Sequence, residues 1–265
     1  GALVMAGPGQ KGFNALGEIL TGEVNPSAKM VDTYVYDLTQ TPTWNNFGSM
    51  FYDNMDEFAV DGAVPSFVNY VEGIYVGYKF YETAAAEGLI DYDATVQYPF
   101  GYGLSYTTFT QEMGPISESN GTITFDVTVT NTGDVAGKDV IQVYYNPPYT
   151  NGGIEKASAN LIAFDKTDML EPGASQTLTI SFDVEDMASY DTYGAGAYVL
   201  EAGDYAISIN SDAHTVIASQ TYNVPTTITY GDTSPRSTDA VAASNQFAFA
   251  EGDVTYLSRA NGFAN

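Results

Sequence analysis

The stretch TITFDVTVT at residues 122 to 130 decides the fold of the second half of the chain. Apolar and polar residues alternate in it, so a β-strand here has one apolar face, made of Ile123, Phe125, Val127 and Val129. A strand of this kind needs a second layer to cover that face. The dipeptide Asn120-Gly121 directly before it is a typical two-residue hairpin turn. The stretch therefore predicts one strand of an antiparallel β-sandwich.

Further strand candidates follow towards the end of the chain, each short and rich in β-branched or aromatic residues. They are residues 140–145, 160–164, 175–182, 197–200, 204–209 and 214–222. Turn motifs such as Asn131-Thr-Gly133 and Glu171-Pro-Gly173 separate them. Seven short strands divided by turns predict a β-sandwich of about 100 residues.

The first half of the chain has a mixed pattern. Residues 9–20 suit a helix that ends at Gly22, and residues 30–36 favour a strand. Glycine and proline interrupt residues 38–66, which predicts irregular structure there, and we expect a short strand near 67–72 with a helix after it. The apolar residues 2–5 before the Gly7-Pro-Gly9 turn are typical of a strand buried within an α/β sheet. Such a strand needs neighbours on both sides, so we expect the natural N-terminus to lie further upstream.

The composition excludes several classes of partner. The 33 acidic and 8 basic residues give a net charge of -25, which argues against nucleic acid and anionic membranes. The chain has no cysteine, so disulfides and thiolate metal sites are excluded. It also lacks a membrane-spanning apolar run of about 20 residues, and its start lacks the basic region of a signal peptide. We expect a cytoplasmic or cell-associated bacterial protein, although the sequence does not fix the compartment.

Several glycine, proline and aromatic motifs occur in a defined order along the chain. They are GPGQ (7–10), NAL (14–16), NPS (25–27), YVEGIYVGY (70–78), YPFGYGLSYT (98–107), VTNTGDVAG (129–137), EPG (171–173) and EAGDY (201–205). In this order they resemble the family-3 glycoside hydrolases of the β-glucosidase type, and the ten-residue string at 98–107 is the most specific match. The resemblance implies an α/β followed by all-β fold class: a partial α/β sandwich domain plus a fibronectin type III-like β-sandwich.

The resemblance also implies a domain organisation. Residues 1–112 match the C-terminal portion of the α/β sandwich domain, and residues 113–225 match the fibronectin type III-like domain. Residues 226–265 resemble a connector towards a barrel that is missing from the chain, as in a rearranged subgroup whose barrel comes last. One small departure is Ala28, where the family usually has glycine after the NPS motif.

The family resemblance implies hydrolysis of β-glucosides or related glycosides by a retaining mechanism, without a cofactor. That mechanism uses two carboxyl groups about 5 to 5.5 Å apart. In this family the nucleophilic aspartate lies on the barrel and the acid/base glutamate lies upstream of the GPGQ segment. Neither is expected in this chain, so no catalytic residue is assigned and the chain alone should be inactive. The expected partners are the rest of the same polypeptide, namely the barrel and the upstream half of the sandwich, and the glycoside substrate.

Two alternatives to an enzyme fragment use the same folds. One is a non-catalytic carbohydrate-binding or assembly module, and the other is a structural protein whose fibronectin-like domain mediates contacts. A partial sheet would also leave an edge exposed, which predicts binding of the missing piece or self-association into a homo-oligomer.

The candidate substrate contacts are aromatic. Trp44, Phe51 and Tyr52 lie in the irregular stretch, and aromatic rings stack on sugars, although packing is their more common role. Of these, Trp44 and Tyr52 are named as candidate substrate-binding residues.

The polar candidates have simpler explanations. Glu72 lies among tyrosines and is expected to be a buried acid with hydrogen-bond partners rather than a catalyst. The single histidine, His214, is expected in a strand of the sandwich with no nucleophile motif around it. The acidic loop containing Asp53, Asp56, Glu57 and Asp61 lacks the EF-hand spacing for Ca²⁺, so no metal site is assigned. Asn120-Gly-Thr122 fits the N-glycosylation pattern, but the hairpin turn explains it equally well.

Overall fold

The alternating stretch lies in the longest strand of the computed structural model, which describes residues 3–4, 7, 9–46, 48, 50–51, 53–64, 66–244 and 255–264. The helices are α1 (Gly12–Thr21), α2 (Tyr78–Ala86) and α3 (Tyr92–Thr95). The strands are β1 (Tyr34–Val35), β2 (Met50–Phe51), β3 (Ser66–Phe67), β4 (Val96–Tyr98), β5 (Phe109–Met113), β6 (Ser117–Ser119), β7 (Thr122–Asn131), β8 (Val140–Asn146), β9 (Asn160–Lys166), β10 (Ser175–Asp183), β11 (Ser189–Asp191), β12 (Ala197–Leu200), β13 (Gly203–Asn210), β14 (Val216–Val224) and β15 (Ile228–Tyr230).

Two antiparallel sheets make up the second half of the described chain. One has the order β10-β7-β5, with β6 also paired to β7, and the other has the order β14-β13-β8-β9. The apolar face of β7 is buried, as its alternation predicts, and it belongs to the same core as the buried face of β13. Residues without any exposed side-chain surface in this core include Val127, Val129, Met187, Ile207 and Ile209. A smaller sheet of order β11-β12-β15 completes this half.

All seven predicted sandwich strands are present, with small shifts at their ends. The predicted hairpin turn is confirmed, because Ser119 pairs with Thr122 around it and both turn residues have positive φ, 53° at Asn120 and 83° at Gly121. The prediction for His214 is wrong, because β14 begins only at Val216. Four described strands of this half were not predicted: β5 and β6, which pair with β7, and β11 and β15, which pair with β12.

The first half combines helices with very short strands. Helix α1 ends where it was predicted to end, at Gly22, whose φ of 79° allows its N–H to bond back to the Ile19 carbonyl. The strand predicted at 30–36 is reduced to β1, because its partner β4 is only three residues long. The predicted strand at 2–5 is not found at Leu3 and Val4, which are exposed and outside any strand, while residues 2 and 5 lie outside the described residues. We find no neighbouring strand for it within the described ranges.

The YPFGYGLSYT string joins the two halves. At Gly101 the φ is +83° and an added Cβ would lie 2.0 Å from the Gln142 side-chain oxygen, so only glycine fits there. The Gln142 amide donates to the Gly101 carbonyl at 3.0 Å, and the Ala213 N–H donates to the Phe100 carbonyl at 2.8 Å. The string therefore packs directly against β8 and against the turn between β13 and β14.

Asn25 of the NPS motif also links the YPFGYGLSYT string to the sandwich. Its side-chain oxygen accepts hydrogen bonds from the Ser105 hydroxyl at 3.0 Å and the Tyr106 N–H at 2.8 Å. Its amide nitrogen donates to the Ala136 carbonyl at 3.0 Å. Three motifs that are far apart in sequence are thus held together by one side chain.

Two features bear on the predicted division into domains. Strand β5 spans the predicted boundary at 112/113 and pairs with β7, so the sandwich begins a few residues earlier. The predicted connector contains β15, which pairs with β12 of the sandwich. The division itself stays a prediction. Within the described residues, no helix is both long and apolar enough to cross a membrane.

Candidate functional site

Of the two candidate substrate-binding residues, Trp44 and Tyr52, the structure describes only Trp44. Trp44 lies in the 3-10 helix Pro42–Asn46, its N–H donates to the Thr41 carbonyl at 3.0 Å, and its side chain is 47% exposed. Tyr52 lies outside the described residues. An exposed ring at Trp44 is compatible with contact to a sugar, and its role stays a prediction.

The acidic candidates are Glu72 and the carboxylates of the loop 53–61. Glu72 is 1% exposed, which confirms its predicted burial. Asp53, Asp56, Glu57 and Asp61 are exposed. Across the described ranges, we find no group of three or more histidine and carboxylate side chains arranged to hold a metal ion.

His214 lies in the turn between β13 and β14, and the Asp212 side chain shapes that turn. One Asp212 oxygen accepts the backbone N–H of His214 at 3.0 Å and that of Thr215 at 2.8 Å. The imidazole stacks on Tyr92 of α3, with ring centroids 3.6 Å apart and planes 7° apart. The turn therefore presents the only histidine of the chain to the first half of the molecule.

Glu82 of α2 is the partner of this histidine. Its carboxylate oxygen Oε2 lies 2.8 Å from His214 Nδ1, and its side chain is 8% exposed. Burial raises the pKa of the Glu82 carboxyl, and the contact with His214 opposes that shift only in part. Burial beside the Glu82 charge also raises the pKa of the Tyr92 hydroxyl. Among the described residues of this cluster (Glu82, Tyr92, Asp212 and His214), the one hydroxyl is that of Tyr92, whose pKa is raised. The cluster therefore suits attachment of α2 to the sandwich rather than covalent catalysis.

Sequence reasoning missed Glu82. It is 132 residues from His214 along the chain, and no local motif marks the pair. The only signal was an acid on the apolar segment that was predicted to be helical.

The residues 255–264, here called the C-terminal clasp, connect both halves a second time. The Leu257 N–H donates to the Val71 carbonyl at 2.8 Å, and its side chain is buried. Phe263 packs edge-on against Tyr75 with centroids 4.8 Å apart. Arg259 forms an ion pair with Glu87 at 2.5 Å and lies 3.8 Å above the Tyr149 ring. The clasp thus spans from α2 to the loop that follows β8.

Glu155 is the polar centre of this second connection. Its carboxylate accepts hydrogen bonds from the Tyr75 hydroxyl, from the Ser258 hydroxyl at 2.5 Å and from the Arg259 N–H at 3.2 Å. Burial and the Glu155 charge raise the pKa of the Tyr75 hydroxyl, so this group stays a proton donor at neutral pH. The neighbouring Lys156 is 2% exposed, and its ammonium pairs with Glu201 and with the Pro148 carbonyl.

A cavity of about 530 Å³ lies beside the clasp. Its walls come from the loop 152–155, the turn 190–194 and the clasp residues 256–258 and 260. Trp44 is not among its lining residues.

The fold is similar to that of known β-glucosidases, and part of it matches a known domain family. A model of the fibronectin type III-like domain matches residues 139–213. A β-glucosidase from Paenibacillus barengoltzii superposes with a TM-score of 0.69 at 35% identity, over 82% of this chain and 22% of that one. The GH3 β-glucosidase of Bifidobacterium adolescentis superposes with a TM-score of 0.66 at 28% identity, over 81% of this chain and 28% of the other. The chain is therefore a fibronectin type III-like β-sandwich joined to part of an α/β domain.

The sequence is also similar to those of β-glucosidases. Over 215 residues the chain is 38% identical to β-glucosidase A of Butyrivibrio fibrisolvens. This alignment covers 74% of this chain and 23% of that relative. The chain thus corresponds to the region of the family-3 (GH3) β-glucosidases that contains the end of the α/β sandwich domain and the fibronectin type III-like domain. It spans about a quarter of the length of such relatives.

Proposed function

We propose that this chain is part of a retaining glycoside hydrolase acting on β-glucosides or related glycosides, and that it contributes scaffold rather than catalytic carboxylates. The similarity to β-glucosidases in both sequence and fold, over most of the chain, carries this proposal. The catalytic pair and the residues that select the sugar then belong to the rest of the polypeptide.

The hydrogen-bonding of the acidic side chains supports a scaffold role. A retaining glycosidase needs two carboxyl groups facing one bond about 5 to 5.5 Å apart. Two partly or fully buried acids, Glu82 and Glu155, are instead engaged with His214 and with the Tyr75 and Ser258 hydroxyls. These contacts fix the position of α2 and of the C-terminal clasp.

The exposed apolar surface of the first half supports a large intramolecular partner. Helix α1 buries none of its residues, and Phe13 and Leu20 on it are 66% and 71% exposed. Large exposed apolar patches usually mark interaction sites. We propose that the barrel and the upstream half of the sandwich domain cover this surface in the whole protein.

The domain division follows from the same proposal. Residues 1–112 form the end of the α/β sandwich domain, 113–225 the fibronectin type III-like domain and 226–265 a connector towards a barrel, as in the rearranged subgroup. The position of β5 moves the first boundary to just before Phe109. A cytoplasmic or cell-associated location belongs to this proposal as well.

The experiment compares this chain with the longer natural polypeptide that contains it, using an aryl β-glucoside as substrate. We expect turnover by the longer protein and none by the chain alone. Turnover by the repurified chain would refute its scaffold role. A longer protein that binds oligosaccharides but hydrolyses no glycoside would favour the alternative of a carbohydrate-binding or assembly module.

A further inference from the structure

The cavity beside the C-terminal clasp has the size of a small-molecule site. Its volume of about 530 Å³ falls within the range of roughly 300 to 1,000 Å³ that ligand pockets occupy. Two of its walls belong to loops of the sandwich, and the third is the clasp itself. The cavity is therefore complete only when residues 256–260 are docked.

The chemistry of its walls selects a class of ligand. Three tyrosines line the cavity, Tyr190, Tyr193 and Tyr256, together with the carboxylates of Glu155 and Asp191. The described lining residues include no lysine or arginine, and the chain carries a net charge of -25. An anionic ligand would be repelled, whereas a neutral ligand rich in hydroxyl groups could donate to carboxylates and lie against aromatic rings.

Backbone hydrogen bonds to Asp191 hold the turn that carries Tyr193. Both oxygens of the Asp191 carboxylate accept backbone N–H groups, from Gly194 at 2.9 Å and from Ala195 at 2.7 Å. The Gly196 N–H adds a bond to the Asp191 carbonyl at 2.8 Å. An added Cβ at Gly194 would lie 2.3 Å from an Asp191 oxygen, so the turn closes tightly on that side chain.

The aromatic side chain on this turn is available for contact. Tyr193 is 81% exposed and makes no hydrogen bond to another described residue. Each carboxylate oxygen has two lone pairs, so Asp191 and Glu155 keep acceptor capacity beyond their contacts within the protein. A preformed turn with an exposed ring lowers the entropy cost of binding.

We propose that this cavity binds a neutral carbohydrate non-covalently, with sugar rings against Tyr193 and Tyr256 and sugar hydroxyls donating to Asp191 and Glu155. The proposed binding requires no bond cleavage. It does not rest on the proposed hydrolase activity, since the three described walls all belong to this chain.

The test measures binding of cellotetraose to this chain by isothermal titration calorimetry and saturation-transfer NMR, with glucuronate as an anionic probe. We expect saturable binding of cellotetraose and none of glucuronate. Tyr193→Ala and Tyr256→Ala should each weaken binding about tenfold, the scale of one lost aromatic contact. Tyr36→Ala is the matched control, because Tyr36 is 63% exposed and does not line the cavity.

Absence of saturable cellotetraose binding to the wild-type chain would overturn the proposal, as would equal affinity in the wild type and both cavity variants. Equal weakening by Tyr36→Ala would also overturn it, because the binding would then be unspecific contact with exposed rings. Since Tyr193 makes no described hydrogen bond, its variant should keep the wild-type circular dichroism spectrum.

Discussion

The two halves of the chain solve the burial of apolar residues in different ways. In the sandwich, β7 and β10 pair over nine residues, and the core between the sheets leaves many side chains with no exposed surface. In the first half, β1, β2 and β3 are two residues long, and α1 buries nothing. Both halves contain ample apolar residues, so the difference lies in the surfaces available to cover them. The apolar residues of the sandwich cover one another, whereas those of the first half depend on contacts with other parts of the protein.

Helix α2 illustrates this dependence. Its buried residues Tyr81, Glu82, Thr83 and Ala84 lie where the first half meets the sandwich. The Thr83 hydroxyl accepts the Ser158 N–H at 3.0 Å, and Glu82 pairs with His214. The well-packed helix is thus the one that contacts the sandwich, whereas no residue of α1 is buried against the described part of the chain.

The largest expected contrast between the halves comes from truncating one leucine in each. Leu200 has no exposed surface in the sandwich core, so Leu200→Ala should lower the free energy of unfolding by about 3 kcal/mol. Leu20 on α1 is 71% exposed, and Leu20→Ala should change it by no more than about 0.5 kcal/mol. Urea denaturation followed by far-UV circular dichroism measures both. Equal losses would show that α1 contributes as much to folding as the sandwich core.

A smaller effect is expected where the clasp joins the halves. Arg259→Ala removes the ion pair with Glu87 and the contact with the Tyr149 ring, and should lower the local opening free energy of residues 71–75 by about 1 kcal/mol. Hydrogen exchange of the Tyr75 and Leu257 amides reports this opening.

Arg236 offers a matched control for the clasp. It also lies over a ring, 3.7 Å above Tyr198, and pairs with Asp239. Arg236→Ala should leave exchange at residues 71–75 unchanged. If both variants altered it equally, the clasp would have no special part in linking the halves.

A pH-dependent effect is expected at the contact between Glu82 and His214. Because burial raises the pKa of Glu82, the folded chain binds a proton more tightly there than the unfolded chain does. The stability contributed by this group is therefore present at low pH and is lost as pH rises from the ordinary carboxyl pKa through the raised value. Glu82→Gln has no such loss, so its stability relative to the wild type should increase with pH across that window.

Urea denaturation at a series of pH values checks this sign. Glu112→Gln serves as a control, because Glu112 is an exposed acid on β5. Parallel pH curves for the wild type and Glu82→Gln would contradict the argument from burial.

Substitutions on the exposed face of α1 should change the stability of the chain least. They should instead weaken its self-association. Replacing Phe13 and Leu20 by serine removes apolar surface that is already in water, so the free energy of unfolding should stay within about 0.5 kcal/mol. Light scattering should show less self-association than in the wild type. Since the net charge of -25 opposes association, lower salt should also weaken it in the wild type. A wild type that is monomeric at every salt concentration would mean that this face does not associate.

The sequence predicted what one periodic face determines. The strand β7 was recognisable because its alternation follows directly from burial on one side. Strand β5 was missed because a polar residue, Gln111, takes the buried position between Phe109 and Met113, where it donates to Asp139 at 2.8 Å. The pattern failed where a hydrogen bond replaced an apolar contact.

The sequence could not predict what distant contacts determine. Residues 30–36 have β-forming side chains, but the length of the strand was set by its short partner β4. The clasp has no period, because its side chains fit a surface formed by other segments. The candidate site was accordingly less predictable than the fold: Trp44 and Tyr52 were chosen by residue type, whereas the cavity arises from three loops that meet only after folding.

The clasp has a consequence for the order of folding. Arg259 and Glu87 are 172 residues apart in sequence, and the whole sandwich lies between them. Contacts of such separation cannot form early during synthesis, because domains fold as units in the order in which they leave the ribosome. Once the sandwich has folded, the loop that the clasp closes is counted from β15 rather than from Glu87, so its closure costs less entropy. Docking of the clasp therefore follows folding of the sandwich. A nascent chain whose residues 255–264 are still in the exit tunnel would therefore hold a folded sandwich without the contacts between the clasp and residues 71–75.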